Sequence, residues 1–267
     1  MTSGSIQANW SQPAAYEAYA GRWSRPVARQ FVDWLAIPPG KEWLDVGCGT
    51  GALSEAILAS AQPRSLTAID QSENFVNHAM ATIKDPRARF RIGDAQALPV
   101  GDLSHDVIVS GLVFNFVPDR PLMFTEMRRT VRRGGWLALY VWDYAGEMQM
   151  MRRFWNAAAA LSPVAKAYDE GVRFAFCKPA PLTTLFREAG LVDIECRVID
   201  VPTVFKNFDD YWNPFLGGQG PAPIYCLALS DERRAQLRER LRATLPAELD
   251  GSIRLIARAF AVRGRRT

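Results

Sequence analysis

The segment Trp43-Leu44-Asp45-Val46-Gly47-Cys48-Gly49-Thr50-Gly51 puts glycines at alternate positions behind a short apolar run. Such a run reads as a strand that delivers a turn to the N-terminus of a helix. Glycines there let backbone N–H groups approach a ligand with no Cβ in the way. The next apolar run ends at Asp70, where a carboxylate can accept both hydroxyl hydrogens of a ribose. Loop and acid together predict recognition of a nucleoside-containing cofactor. Gly47, Gly49 and Ala52 also satisfy the dinucleotide pattern G-x-G-x-x-G/A, with Asp70 as its ribose acid, so a nicotinamide dinucleotide is the rival ligand. Asp45 bears on the choice. A carboxylate aimed into the loop repels a dianionic pyrophosphate and attracts an amino-acid ammonium group. The other reading of Asp45 is a side chain turned away to cap a neighbouring turn. Asp94 follows a third strand-like run. A carboxylate there can accept from an exocyclic amine while the Ala95 N–H donates to a ring nitrogen, or it can simply cap the following turn.

The loop Asp45-Val46-Gly47-Cys48-Gly49-Thr50-Gly51 resembles the first motif of class I S-adenosylmethionine (SAM)-dependent methyltransferases. The chain is similar to the branch that includes ubiquinone- and menaquinone-biosynthesis-type enzymes and many small-molecule methyltransferases. The resemblance runs from about Tyr16 to Val201, plus the final strand, and is most specific at residues 43–51. It implies SAM as cofactor and S-adenosylhomocysteine (SAH) as product, with cofactor contacts at Asp45, Gly47, Cys48, Gly49 and Gly51. It further implies ribose contacts at Asp70 and its neighbour Gln71, and adenine contacts at Asp94, Ala95 and Gln96. Ser110, Gly111 and Leu112 would pass under the methionine moiety. The N-terminal helices would lie over the cofactor, making Tyr19, Arg22 and Trp23 carboxylate or lid contacts.

These residues need a scaffold that sets strand ends side by side. Apolar runs at 42–47, 65–70, 87–92, 106–111 and 136–142 alternate with helical patterns at 51–60, 73–83 and 120–132. Strands alternating with helices pair in parallel through right-handed crossovers. The expected fold is α/β: a doubly wound, mostly parallel, Rossmann-like seven-stranded sheet with helices on both faces and lid insertions. Residues 16–35 read as two short helices broken at Gly21 and Pro26. After Asp143 the rhythm breaks. A helix is expected over 148–168, another over 179–190, a strand over 192–201, an irregular stretch over 206–250 and a last strand over 252–262. The predicted organisation is an N-terminal helical lid segment (1–40) and a SAM-binding domain (41–267) with insertions at about 144–180 and 206–250.

The composition, with 48% hydrophobic and 22% charged residues in a chain of 267, excludes disordered and low-complexity readings. The net charge of +4 invites a nucleic-acid partner. Most basic residues, however, alternate with acids on helical faces, and only Arg263-Gly264-Arg265-Arg266 clusters, as a short frayed tail. Nucleic-acid methyltransferases of the family carry (Asn/Asp/Ser)-Pro-Pro-aromatic after the fourth strand or a Pro-Cys nucleophile. This chain has Ser110-Gly111-Leu112-Val113 at the first and no Pro-Cys anywhere. A small-molecule acceptor is expected, with no nucleic-acid partner. The cysteines, Cys48, Cys177, Cys196 and Cys226, lie far apart with no metal-ligand spacing, so neither a disulfide framework nor a metal is expected. With neither a signal-like start nor a long apolar run, the chain is expected to be cytoplasmic and free of integral membrane association.

Methyl transfer is an in-line displacement at a sulfonium carbon, which a dry, preorganised site assists. No base is evident. His78 falls in a helix and His105 in a loop before the fourth strand, away from the strand ends. Asp143 and Tyr144, just past the fifth strand, are better placed, although an Asp there also caps turns. Aromatic residues outside the alternation, among them Tyr16, Trp142, Tyr144, Trp155 and Trp212, are candidates for acceptor binding or for packing of the inserted helices. Alternatives are an NAD(P)-dependent oxidoreductase built on the same loop and a SAM-binding protein without turnover.

Overall fold

The structure, a computed structural model, describes residues 10–267. In chain order the elements are α1 (Pro13–Tyr16), a π-helical turn (Glu17–Gly21), α2 (Arg22–Leu35), β1 (Glu42–Val46), α3 (Ala52–Ser60), β2 (Ser65–Asp70), α4 (Glu73–Thr82) and β3 (Ala88–Ile92). There follow β4 (His105–Gly111), α5 (Arg120–Thr130), β5 (Val131–Trp142), α6 (Gln149–Leu161), α7 (Glu170–Arg173) and α8 (Pro179–Glu188). The chain closes with β6 (Leu191–Phe205), α9 (Phe208–Trp212), α10 (Pro221–Ala228), α11 (Asp231–Thr244) and β7 (Ile253–Arg266). Two compact units divide it. The sheet unit holds Trp23–Trp142, Phe176–Ile199 and Ala259–Thr267; the aromatic unit holds residues up to Arg22, Asp143–Ala175 and Asp200–Arg258. Among the described residues, no helix is long and apolar enough to cross a membrane.

The seven strands run in the order β3-β2-β1-β4-β5-β7-β6. β1 pairs in parallel with β2 and β4, which sets Asp45 in register with Ala68 on one side and Val109 on the other. β5 continues the parallel set beside β4, and β7 returns antiparallel to β5, Trp136 opposite Arg265 and Trp142 opposite Ala259. The expected doubly wound sheet is present, and β7 is its antiparallel departure. Central parallel strands are covered on both faces, so they must be apolar throughout. Leu44, Val46, Ile108, Val109, Leu137 and Leu139 are all fully buried. Helix starts follow capping chemistry: Asp119 accepts from the Leu122 N–H before α5, and Asn207 from the Asp210 N–H before α9.

Several elements differ from expectation. Residues 22–35 form one helix that passes through Pro26. Pro26 is the fifth residue of this helix and gives its ladder no N–H, and the π-helical turn Glu17–Gly21 precedes it. Residues 206–250 are mostly helical rather than irregular, with Pro221 at the start of α10, where proline is favoured. The helix expected over 148–168 ends at Leu161, and β5 begins at Val131, running through Gly134 and Gly135. His105 is the first residue of β4 rather than part of a loop. Its ring is buried, Nδ1 lies 2.7 Å from the Ser104 hydroxyl, and burial lowers its pKa.

The basic C-terminus is not a frayed tail. Arg263 donates to the Trp34 and Leu35 carbonyls and pairs with Glu195; Arg265 donates to the Gly134 carbonyl, and Arg266 to the carbonyls of Arg129 and Val131. These guanidinium groups satisfy carbonyl oxygens left over at helix ends and a strand turn. Deleting residues 263–267 should therefore lower unfolding stability by about 6 kcal/mol or more, at ~1 kcal/mol for each of these hydrogen bonds, with the β5 pairing of the segment lost as well. Urea melts measure this, and a change below about 0.5 kcal/mol would return the segment to a loose tail.

Candidate functional site

The glycine-rich loop belongs wholly to the sheet unit and is built by backbone conformations that only glycine adopts cheaply. Gly47 has φ +77 and Gly51 φ +92. A Cβ on Gly47 would lie 2.6 Å from the Val113 methyls, and one on Gly51 2.6 Å from Ile83 Cδ1. At Gly49 the nearest atom to such a Cβ is 3.8 Å away, so its backbone is open to close approach. The Gly47 and Cys48 N–H groups both donate to the Ile69 carbonyl, at 2.7 and 3.0 Å, tying the loop to the end of β2.

Asp70 completes that tie. Its Oδ2 accepts from the Gly49 N–H and its Oδ1 from the Ser72 N–H, each at 2.8 Å. Each carboxylate oxygen keeps a second lone-pair direction. Burial raises the Asp70 pKa, and the two backbone donors oppose that rise. Asp94 is exposed at the end of β3, accepting from the Gln96 N–H at 2.8 Å and from the Gln96 side chain. It therefore caps its turn while its outer face stays open. Gln96 in turn accepts from the Asp119 N–H, Gln71 is exposed, and Ala95 is half-buried.

Asp45 is fully buried and meets the first turn of α3. Ser54, in the first turn of α3, donates to its Oδ2 at 2.7 Å, and its Oδ1 has no hydrogen-bond partner among the described residues. Burial pushes its carboxyl up to about 7; Ser54 opposes the rise and Asp70 adds to it. Nothing in the sequence pattern singles out Ser54. Cys48 is buried, and burial, with Asp45 and Asp70 beside it, pushes its thiol up. On the neighbouring strand Ser110 donates to the Val46 carbonyl at 2.8 Å. A Cβ on Gly111 would meet the Tyr140 hydroxyl at 2.5 Å. Leu112 holds φ +63, a strained conformation for a leucine, with its N–H on the Tyr140 carbonyl.

The remaining candidates divide between the units. In the sheet unit, Trp142 is buried at the end of β5 and Trp23 is half-buried. In the aromatic unit, Arg22 pairs with Asp210 at 2.8 Å and lies over the Phe205 ring. Tyr16 is half-buried against Trp10, and Trp212 is buried against Phe208. Tyr19, Tyr144 and Trp155 are buried there as well. Asp143 is a turn cap, its two carboxylate oxygens accepting from the Gly146 and Glu147 N–H groups. The buried acid that sequence reasoning misses is Glu170, which accepts from the Trp155 indole N–H. No spacing rule marks an isolated Glu on a one-turn helix. Among the described residues there is no group of three metal-ligating side chains.

A carboxyl whose pKa is raised by the fold contributes its full stability below the unfolded value and loses it as pH rises through the folded one. Stability of the ligand-free protein should therefore fall between about pH 4 and pH 7–8. Asp45→Asn should remove part of that fall, at roughly 1.4 kcal/mol for each pH unit by which burial lifts the carboxyl. Urea titrations at acid and alkaline pH test this; an unaltered slope in the variant would contradict the buried-acid geometry.

The strand ends bring together an open backbone at Gly49, a buried Asp45 carboxyl oxygen with no hydrogen-bond partner among the described residues, and acids at the ends of β2 and β3. A family model described as "Methyltransferase domain" matches residues 44–139. The 2-methyl-6-phytyl-1,4-hydroquinone methyltransferase of Synechocystis is 32% identical over 188 residues, 69% of this chain and 57% of that protein. The chain thus spans little more than half the length of that relative. The demethylmenaquinone methyltransferase of Roseiflexus castenholzii is 32% identical over 179 residues, 62% of this chain and 74% of that one. Among solved structures, the Haemonchus contortus phosphoethanolamine N-methyltransferase 2 in complex with SAM shares the fold. Its TM-score is 0.60 at 15% identity, over 96% of this chain and 58% of that chain. The chain belongs to the class I SAM-dependent methyltransferase family.

Proposed function

We propose that this chain transfers the methyl group of SAM to a small organic acceptor. The observation that carries the proposal is Asp45: a buried carboxyl oxygen with no hydrogen-bond partner among the described residues, in the strand that leads into a loop tied to Asp70. An anionic pyrophosphate would be repelled there and an ammonium group held. When bound, SAM supplies an electrophilic methyl group on a sulfonium.

The chain's own residues bind and orient. In this reading Asp45 faces the ammonium end, and Gly47, Cys48, Gly49 and Gly51 supply backbone along the methionine and ribose. Asp70 accepts from the ribose hydroxyls through its free lone pairs, with Gln71 beside it. Asp94 accepts from the adenine amine while Ala95 donates to the ring and Gln96 orients Asp94. Ser110, Gly111 and Leu112 form the floor, which the strained Leu112 peptide shapes. Trp23 remains a lid candidate, and Arg22, whose guanidinium is engaged by Asp210, can contribute only its remaining donors. Trp142, Tyr144, Trp155, Trp212 and Tyr16 are assigned to acceptor selection. The named substrates of the two quinone-type relatives, a hydroquinone and a demethylmenaquinone, favour a quinone-type acceptor for this chain.

Calorimetric titration with SAH, with NAD in parallel, tests the reading. SAH should bind in the micromolar range. Asp70→Ala should weaken it about 100-fold or more, because it removes charge-assisted hydrogen bonds of about 1.5–3 kcal/mol each. Binding of NAD alone would overturn the proposal and restore the dinucleotide reading.

A further inference from the structure

The sheet has two edge strands, β3 and β6, and their side chains treat an approaching strand differently. An edge offers unpaired N–H and C=O groups to any strand that can lie beside it, and charge is a common guard. Two copies of one edge strand pair antiparallel about a two-fold axis. Because facing residues must share a sheet face, that axis passes through a single residue position. β3 carries Arg89 and Arg91, both exposed. Centred on Arg89, Phe90 or Arg91, its self-pairing sets arginine against arginine, which destabilises the ladder. That edge repels its own copy.

The part of β6 that lies in the sheet unit, up to Ile199, is built the other way. Glu195, Cys196, Arg197 and Val198 are exposed in succession, Val198 by 47%. Asp193 holds φ +51, away from the extended conformation, so the regular ladder of this part starts at Ile194. One face of the segment is apolar, with Ile194, Cys196 and Val198 at alternate positions. The other face carries Glu195 and Arg197. Both oxygens of Glu195 accept from Arg263 on β7, at 2.9 Å, yet its side chain stays 53% exposed. Arg197 has no ion-pair partner among the described residues.

We propose that β6 is the docking edge for a second copy of this chain, joined antiparallel about a two-fold axis at Cys196. In this register Glu195 of each copy lies opposite Arg197 of the other, and Ile194 lies opposite Val198. Charges on the polar face then alternate in sign across three strands, from Arg263 to Glu195 to Arg197 of the second copy. Opposite charges directly across a ladder stabilise it, and like charges do the reverse. The neighbouring registers lose this match. Centred on Ile194, Asp193 meets Glu195. Centred on Glu195 or Arg197, a charge meets its own copy, and centred on Val198, Arg197 meets Ile199. A ladder this short buries less than a standard interface, so the dimer is a weak one with a micromolar dissociation constant. The proposal stands apart from the reaction the chain performs.

Sedimentation equilibrium of the full chain, from micromolar to near-millimolar concentration, tests this. It should show a monomer–dimer equilibrium that weakens as salt is added. Arg197→Glu places an acid opposite Glu195 at two points and should raise the dissociation constant about tenfold or more. Glu195→Arg should act likewise, and the double reversal should recover most of the loss. Thermal melts establish that each variant folds. Arg197→Glu carries the test if Glu195→Arg, which deprives Arg263 of its partner, does not fold. A short bismaleimide reports the register, because residues directly opposite in an antiparallel pair have Cα atoms about 4.5–5.5 Å apart. Cys48, Cys177 and Cys226 are buried and Cys196 is exposed, so the reagent should join native chains through Cys196. Cys196→Ser should abolish that link and keep the dimer. A chain that stays monomeric throughout would overturn the proposal. So would a dimer that ignores Arg197→Glu, or one that the reagent does not join at Cys196, since another face would then make the contact.

Discussion

A carboxyl group placed between parallel neighbours at the core of a sheet has to be solvated by the protein or by a ligand. Asp45 is in that position, flanked by Ala68 and Val109 and fully buried. Ser54 satisfies one of its oxygens, and the other has no partner among the described residues. Much of the loop follows from this demand. For Ser54 to reach Asp45, α3 must start within a few residues of the end of β1. The connection must therefore reverse tightly, and Gly47 and Gly51 take left-handed conformations that bring it against Val113 and Ile83. The same reversal turns N–H groups toward Ile69 and Asp70, which lock it to β2. An unmatched buried polar oxygen costs about 1–3 kcal/mol, and a cationic ligand group that pairs with it recovers that cost. Cofactor affinity and loop geometry are in this sense one device.

The aromatic unit also buries polar groups: Glu170 accepts from the Trp155 indole, Asp169 pairs with Arg152, and the Tyr19 hydroxyl has no hydrogen-bond partner among the described residues. Around them Phe154, Phe215, Trp155 and Tyr225 pack ring on ring. Such a core is stiff and apolar, so each polar atom inside it is selective. Each unit thus buries few polar groups, among them Asp45 in the sheet unit, and Tyr19, Asp169 and Glu170 in the aromatic unit.

The sheet unit is legible in the sequence because covered parallel strands are apolar runs and their ends carry the acids. The pattern places β2 at its observed limits, Ser65–Asp70, and β1 within a residue. Asp94 shows the turn cap, one of its two anticipated readings. The rest is hidden by effects that no local pattern encodes. Pro26 reads as a helix breaker, yet it lies inside α2, downstream of a π-helical turn that no local pattern signals. Residues 221–244 read as irregular because proline-rich and arginine-rich stretches resemble loops, although proline starts α10 and Ser230 caps α11. Arg263, Arg265 and Arg266 look like solvated charge because their partners are backbone carbonyls far away in sequence. Glu170 carries no signal, since only its burial gives it meaning.

The central claim is that Asp45 meets the cationic end of the cofactor, and proton linkage tests it most directly. With burial holding Asp45 up to about 7, a bound ammonium group must pull that value down and expel a proton. SAH titrated calorimetrically at about pH 6, in two buffers of different ionisation enthalpy, should release most of a proton from the native chain and much less from Asp45→Asn. Equal release from both proteins, or none from the native chain, would mean that the ammonium group does not face Asp45.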